Sequence, residues 1–162
     1  MRIEIIKANY NNPQHQSEIP LLLNEYANDP MGGGAPLSEH VQKNLVYALS
    51  QQPNALTFIA YANGTPAGLA NCFQGFSTFQ CQPLLNIHDM MVRSQFRGNG
   101  ICTKLLKAIE KAAQESGCCK ITLEVLSNNK TAQIAYKNFG FADYQLNPDA
   151  GNALFWQKTL NP

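Results

Sequence analysis

Gln95-Phe96-Arg97-Gly98-Asn99-Gly100 joins a strand-like apolar run, Leu84 to Val92, to an amphipathic helix that begins near Asn99. Two glycines allow unusual dihedrals and close approach of a ligand to the backbone. The first helical N–H groups and the positive end of the helix dipole would then face an anion. Arg97 adds a cation to that cradle. Ligand-free strand-to-helix turns use the same residues, so spacing has to discriminate. A dinucleotide fingerprint requires a third glycine where Thr103 stands, and a P-loop requires Gly-Lys-Ser/Thr where this chain has Gly100-Ile101-Cys102. Both patterns fail.

Beyond that helix comes Asn129-x-x-Ala132-x-x-x-Tyr136-x-x-x-Gly140-Phe141. The two elements together resemble the GNAT superfamily of acetyl-coenzyme A dependent N-acetyltransferases. Gln95-x-x-Gly98-x-Gly100 matches that family's pyrophosphate loop, (Arg/Gln)-x-x-Gly-x-(Gly/Ala), and the second element matches its Asn…Ala…Tyr…Gly-Phe segment in order and spacing. The resemblance is most specific over residues 84 to 146.

Periodicity organises the rest of the chain. Ile3 to Ile6 reads as a strand. Residues 15 to 28 carry Ile19, Leu22, Leu23 and Tyr26 at helical spacing, and the Gly/Pro-rich stretch Asp29 to Pro36 breaks the helix. A second helix starts near Ser38, with Val41, Leu45 and Leu49 on one face. Leu56 to Tyr61, a turn at Asn63-Gly64 and Pro66 to Phe73 predict a hairpin. A loop over Phe76 to Pro83 leads to the strand 84 to 92. Ile101, Leu105, Leu106, Ile109, Ala112 and Ala113 form the stripe of the helix after the glycine turn, which Gly117 ends. A strand over 120 to 126, a short helix from Thr131 to Asn138, and two closing strands, Phe141 to Leu146 and Leu154 to Leu160, complete the order. No repeat, linker or low-complexity stretch interrupts it, so residues 1–162 are expected to form a single domain.

Composition agrees. With 162 residues and 44% hydrophobic content the chain can bury a core. A net charge of +1 gives no electrostatic footprint for nucleic acid or an anionic membrane. Met1-Arg2-Ile3-Glu4 carries charge where a signal peptide would be apolar, and no run approaches membrane-spanning length, so a cytoplasmic protein is expected. The cysteines 72, 81, 102, 118 and 119 suit reduced thiols, and the histidines 15, 40 and 88 show no metal-ligand spacing; no metal is expected.

The resemblance implies an α/β (α+β) fold: a mixed, mostly antiparallel sheet of about seven strands with helices on both faces, splayed between strands four and five. In that fold the pantetheine arm of acetyl-CoA lies in the splay. By position, backbone groups of Met90, Met91 and Val92 would bind pantetheine, and those of Gln95, Phe96, Arg97, Gly98, Asn99, Gly100 and Ile101 the pyrophosphate. Asn129 would hydrogen-bond the pantetheine or serve only as a helix cap. The implied activity is acetylation of a small-molecule primary amine, polyamine-like or aminoglycoside-like, by direct attack in a ternary complex. A noncatalytic acyl-CoA-binding module and acetylation of a protein amine remain the alternatives, and a homodimer is left open.

The chemistry requires a neutral amine, a stabilised oxyanion and a proton for the departing thiolate. Since an alkylamine has a pKa of about 10.4, a base must take its proton. Asp89 is the first candidate, in a stretch, Ile87-His88-Asp89-Met90-Met91-Val92, that resembles strand four of aminoglycoside 3-N-acetyltransferases; a buried aspartate anchoring a loop is the alternative. His88 competes as a base, and in a regular strand only one of the two neighbours should face the acceptor. Tyr136 is the acid that the family's tyrosine implies, and a core residue otherwise. The oxyanion would be held by a backbone N–H near Met91. Glu25, Asp29 and Glu39 are candidates to attract a cationic amine, and Phe76, Phe79, Phe155 and Trp156 to frame its apolar part.

Overall fold

The computed structural model describes residues 1–160. Among them five strands form one sheet in chain order: β1 (Ile3–Lys7), β2 (Ala55–Ala62), β3 (Thr65–Ser77), β4 (Gln82–Val92) and β5 (Ile121–Leu123). The first four run antiparallel to their neighbours, and β5 lies parallel to β4. Asn63 and Gly64 both adopt positive φ in the two-residue turn between β2 and β3, the geometry that matches strand twist. The chain divides into two compact units, Met1–Leu123 and Glu124–Pro162.

In the first unit, α1 (Pro13–Asn28) and α2 (Glu39–Ser50) cover one face of the sheet. Asn12 caps α1 with Pro13 at its first position, and the Ser38 hydroxyl caps α2 through Val41 N–H. Ile19, Leu22, Val46 and Leu49 bury against a row formed by Ile59, Leu69 and Met91 on three adjacent strands. The other face is covered by α3 (Ile101–Glu115), whose Ile101, Leu105, Leu106, Ile109 and Ala113 are buried. Gly68 permits this contact: a Cβ there would stand 2.8 Å from the Met91 carbonyl oxygen and 3.4 Å from Ile101 Cγ2.

Several element boundaries differ from the sequence reading. β3 and β4 extend to Ser77 and from Gln82, so most of the expected loop over Phe76 to Pro83 is a hairpin end. Strand five is only Ile121–Leu123 rather than 120 to 126. The second unit contains α4 (Lys130–Phe139) and a 3-10 turn at Pro148–Ala150, and among the described residues neither expected closing strand, so the sheet described has five strands where about seven were expected. Alternating side chains suit a strand, but a strand forms only where its backbone finds a partner. Around the turn Ala153 N–H donates to Tyr144 O at 3.3 Å, beside a Gln145 to Asn152 side-chain bond, without either segment becoming a strand.

Because the atom facing Gly68 is backbone, Gly68→Ala should overpack the sheet under α3 and lower stability by about 1–3 kcal/mol. Urea unfolding would measure it, and a change below about 0.5 kcal/mol would mean that α3 can shift away without cost.

Candidate functional site

Two irregularities of β4 shape the site. The first is a loss of its neighbour: pairing with β5 covers only Leu85, Asn86 and Ile87, while β4 continues to Val92. From His88 onward β4 has no strand partner on that side among the described residues. Arg93 N–H donates to Ala67 O, so the two-residue alternation turns Met91 toward β3 and directs the peptide groups of Met90 and Val92 to the open edge. Of the three residues expected to offer backbone groups to pantetheine, Met91 has its own groups directed at β3.

The second irregularity is a β-bulge. Asn71 pairs with Asp89 and Cys72 with Ile87, which leaves His88 as an extra residue on β4. A bulge breaks the strict alternation of side chains, and the expectation that His88 and Asp89 point to opposite faces does not hold. His88 is exposed and meets the ring of Phe73 edge-on at 5.7 Å. Asp89 accepts a 2.9 Å hydrogen bond from Asn71 Nδ2. Leu69, Asn71 and Phe73 share one face of β3, that of α1 and α2, so both titratable groups lie on that side of the sheet. Cys72 points the other way. Burial, aided by the Asp89 charge, pushes its thiol up to about 12, which removes it as a nucleophile at neutral pH.

The glycine turn is open. Gly98 and Gly100 have φ of +79° and +75°, and a Cβ built on either meets no atom within 4 Å. Gly100 is the N-cap of α3 and supplies no side-chain acceptor, so the first N–H groups of that helix face outward uncapped. Gln95 and Phe96 lie in a short 3-10 turn before it, and the Asn99 amide closes the turn on Phe96 O and Arg97 O. A diphosphate fits this donor set. Arg97 does not point freely into it. Its Nε donates to Val92 O at 3.0 Å and its Nη2 to Asp29 Oδ2 at 2.8 Å.

Arg97 is one of two matched rungs. Arg93 Nε pairs with Glu25 at 2.9 Å, so residues four apart at the end of α1 meet residues four apart after β4. The Arg97 hydrogen bond and the Met31 N–H hold the Asp29 carboxyl below its usual range. Glu39 pairs with Lys43 on the surface of α2. The three acids expected to attract an amine thus already face cations, whereas Asp89 is held by the Asn71 amide. Sequence reading missed both rungs, although the repeated spacing is visible in Glu25/Asp29 and Arg93/Arg97. It also missed Asn71 and Thr57, polar residues inside otherwise apolar strands.

In the second unit, Asn129 caps α4 by accepting from Ala132 N–H at 3.2 Å. Tyr136, about two turns further along the same helix, is buried and meets Phe141 edge-on at 5.9 Å, while Gly140 ends the helix in the left-handed region. Phe76, Phe79, Phe155 and Trp156 are all exposed, Trp156 at 82%.

Comparison with known proteins bears on this geometry. The acetyltransferase (GNAT) family profile matches residues 21–141, which include β4, the glycine turn and α4. The chain belongs to the acetyltransferase (GNAT) family. Among individual members, it is 37% identical over 57 residues to the thialysine N-epsilon-acetyltransferase of Bos taurus, covering 35% of this chain and 34% of that protein. It is 33% identical over 108 residues to the N-alpha-acetyltransferase MAK3 of Arabidopsis thaliana, covering 65% of this chain and 53% of that one. The matches thus span between a third and about half of these relatives' length. The same fold occurs in the aminoglycoside N-acetyltransferase AAC(6')-Iy, solved with the bisubstrate analog CoA-S-monomethyl-acetylneamine, at a TM-score of 0.76 and 17% identity over 99% of this chain and 100% of that one. No helix among the described residues is long and apolar enough to cross a membrane.

Proposed function

We propose that this chain is an N-acetyltransferase that moves the acetyl group of acetyl-CoA to a primary amine of a small molecule by direct attack, with both units serving one catalytic domain. The supporting observation is the continuity of the open β4 edge with the uncapped glycine turn: one stretch of backbone, Met90 to Ile101, offers first amide-pairing groups and then anion-binding donors. That sequence of chemistries suits an amide-rich arm ending in a diphosphate.

Acetyl-CoA supplies an acetyl group activated as a thioester. The outward peptide groups of Met90 and the Val92 N–H pair with the arm, the Val92 carbonyl being held by Arg97, and an outward N–H faces the carbonyl oxygen as it gains charge. The turn from Gln95 to Ile101 holds the diphosphate. Asp89 pairs with the incoming ammonium and takes its proton, leaving the lone pair for attack on the carbonyl carbon as the bond to sulfur breaks. Tyr136 gives its phenolic proton to the departing sulfur, and Asn129 orients the arm while capping α4. His88, exposed at the bulge, is the second candidate base, and the shared face makes a comparison of the two necessary.

Release of thiol from acetyl-CoA across an amine panel, run beside a titration of coenzyme A binding, tests the reading. Binding without turnover on any amine would make the chain a noncatalytic module, and turnover only on peptides would move the acceptor to a protein. Gly100→Val should abolish most cofactor affinity, because a branched side chain would fill the open cradle. The positive φ makes some stability loss unavoidable, about 1–2 kcal/mol, so melting must be followed in parallel. Full affinity in a folded variant would remove the turn from the site.

Tyr136→Phe keeps the ring packed and deletes the proton; turnover should fall about 100-fold or more with cofactor affinity nearly intact. Asp89→Asn should lower both turnover and apparent amine affinity, and His88→Gln should cost little. The opposite ranking would assign the base to His88.

A further inference from the structure

Asp89 is the end of a directional hydrogen-bond chain that crosses three strands. Asn71 Nδ2 donates to Asp89 Oδ2 at 2.9 Å, Thr57 Oγ1 donates to Asn71 Oδ1 at 2.8 Å, and the Tyr10 hydroxyl lies 2.9 Å from Thr57 Oγ1. The bonds fix one another. With its amide nitrogen directed at a carboxylate, Asn71 can offer only its carbonyl oxygen to Thr57. Thr57 must therefore spend its single proton on Asn71, and Tyr10 must donate to Thr57. Burial, the main influence on the Tyr10 phenol, raises its pKa and keeps that proton in place at neutral pH.

The location of the chain makes it more than a packing device. Thr57 and Asn71 are 2% and 3% exposed, and they sit in the register row adjacent to Ile59, Leu69 and Met91. The neighbouring row shows that apolar side chains fill this face. Burying an amide and a hydroxyl in place of methyl groups gains nothing unless every polar atom is satisfied. Here they are satisfied, and no buried side-chain nitrogen or oxygen lacks a partner among the described residues. The chain delivers its last donor to one oxygen of Asp89. The other, Oδ1, has no protein partner among the described residues and, since no buried oxygen is unpartnered, is open to solvent.

We propose that Asn71 is a positioning residue for acetyl transfer, locked in one amide orientation by Thr57 and Tyr10, and that it holds Asp89 so that Oδ1 alone is presented to the acceptor ammonium. This rests on the reading of Asp89 as the group that receives the amine proton. A single free carboxylate oxygen, fixed on a strand, accepts one N–H in one direction, which suits a primary ammonium approaching along the bulged end of β4. Loss of the Thr57 proton would free the Asn71 amide to turn its oxygen toward the carboxylate, replacing attraction with repulsion.

The test uses two variants at Thr57 that separate shape from hydrogen bonding. Thr57→Val keeps the volume and removes the donor; Thr57→Ser keeps the donor and loses a methyl group. If the chain positions Asp89, Thr57→Val should lower kcat/KM for the amine about tenfold, Thr57→Ser should retain most of it, and the affinity for coenzyme A should stay within about twofold in both. A packing role predicts the reverse order, with Thr57→Ser the more damaged. In an Asp89→Asn background the penalty of Thr57→Val should disappear, since no charge remains to position. Wild-type activity in Thr57→Val, equal damage in both variants, or a penalty that persists without the Asp89 charge would overturn the proposal while leaving Asp89 as the base. An Asp89→Asn variant that keeps its activity would overturn both.

Discussion

β4 loses its parallel neighbour after Ile87, and most of what the first unit can do follows from that loss. A strand edge in the middle of a protein presents unpaired peptide groups, which water or a ligand must satisfy. Here the exposed edge is not ragged. Pairing with β3 on the opposite side holds Met90 and Val92 in register with Ala70 and Gly68, so the open groups point in fixed directions. The glycine turn continues the same path, and Gly68, by letting α3 lie close to the sheet, sets where the uncapped start of that helix stands relative to the edge.

The charged groups around this edge are arranged in complementary pairs. Arg93 and Arg97 are tied to Glu25 and Asp29 across the same separation in sequence, which fastens the end of α1 to the segment that follows β4. Both pairs are only partly buried, so their worth lies in holding geometry more than in stability. Asp89 is excluded from this pairing and is held by an amide. Tyr26, raised mainly by burial and then by the charges of Asp89 and Asp29, lies where the fields of both carboxylates reach it.

Helices and hairpin turns were readable because each rests on local chemistry: Ser38 as a cap, Asn63-Gly64 as a turn, the apolar stripe from Ile101 to Ala113. The glycine turn was readable for the same reason. What sequence did not disclose depends on partners distant along the chain. The bulge at His88 is a mismatch between β3 and β4, and no residue type in Ile87-His88-Asp89 announces it. The closing segments carry a strand pattern without an edge to complete it: Leu154, Phe155, Trp156 and Leu160 remain at least 77% exposed. The ion-pair rungs needed the fold to bring residues 68 positions apart together.

Amide hydrogen exchange, resolved by residue and measured with and without acetyl-CoA, tests the central claim most directly. If the open edge of β4 is the cofactor-binding strand, the Met90 and Val92 amides should slow by about tenfold or more on binding, with Met91 little changed because its N–H already faces β3. Binding that leaves Met90 and Val92 exchanging at their free rates would contradict the account.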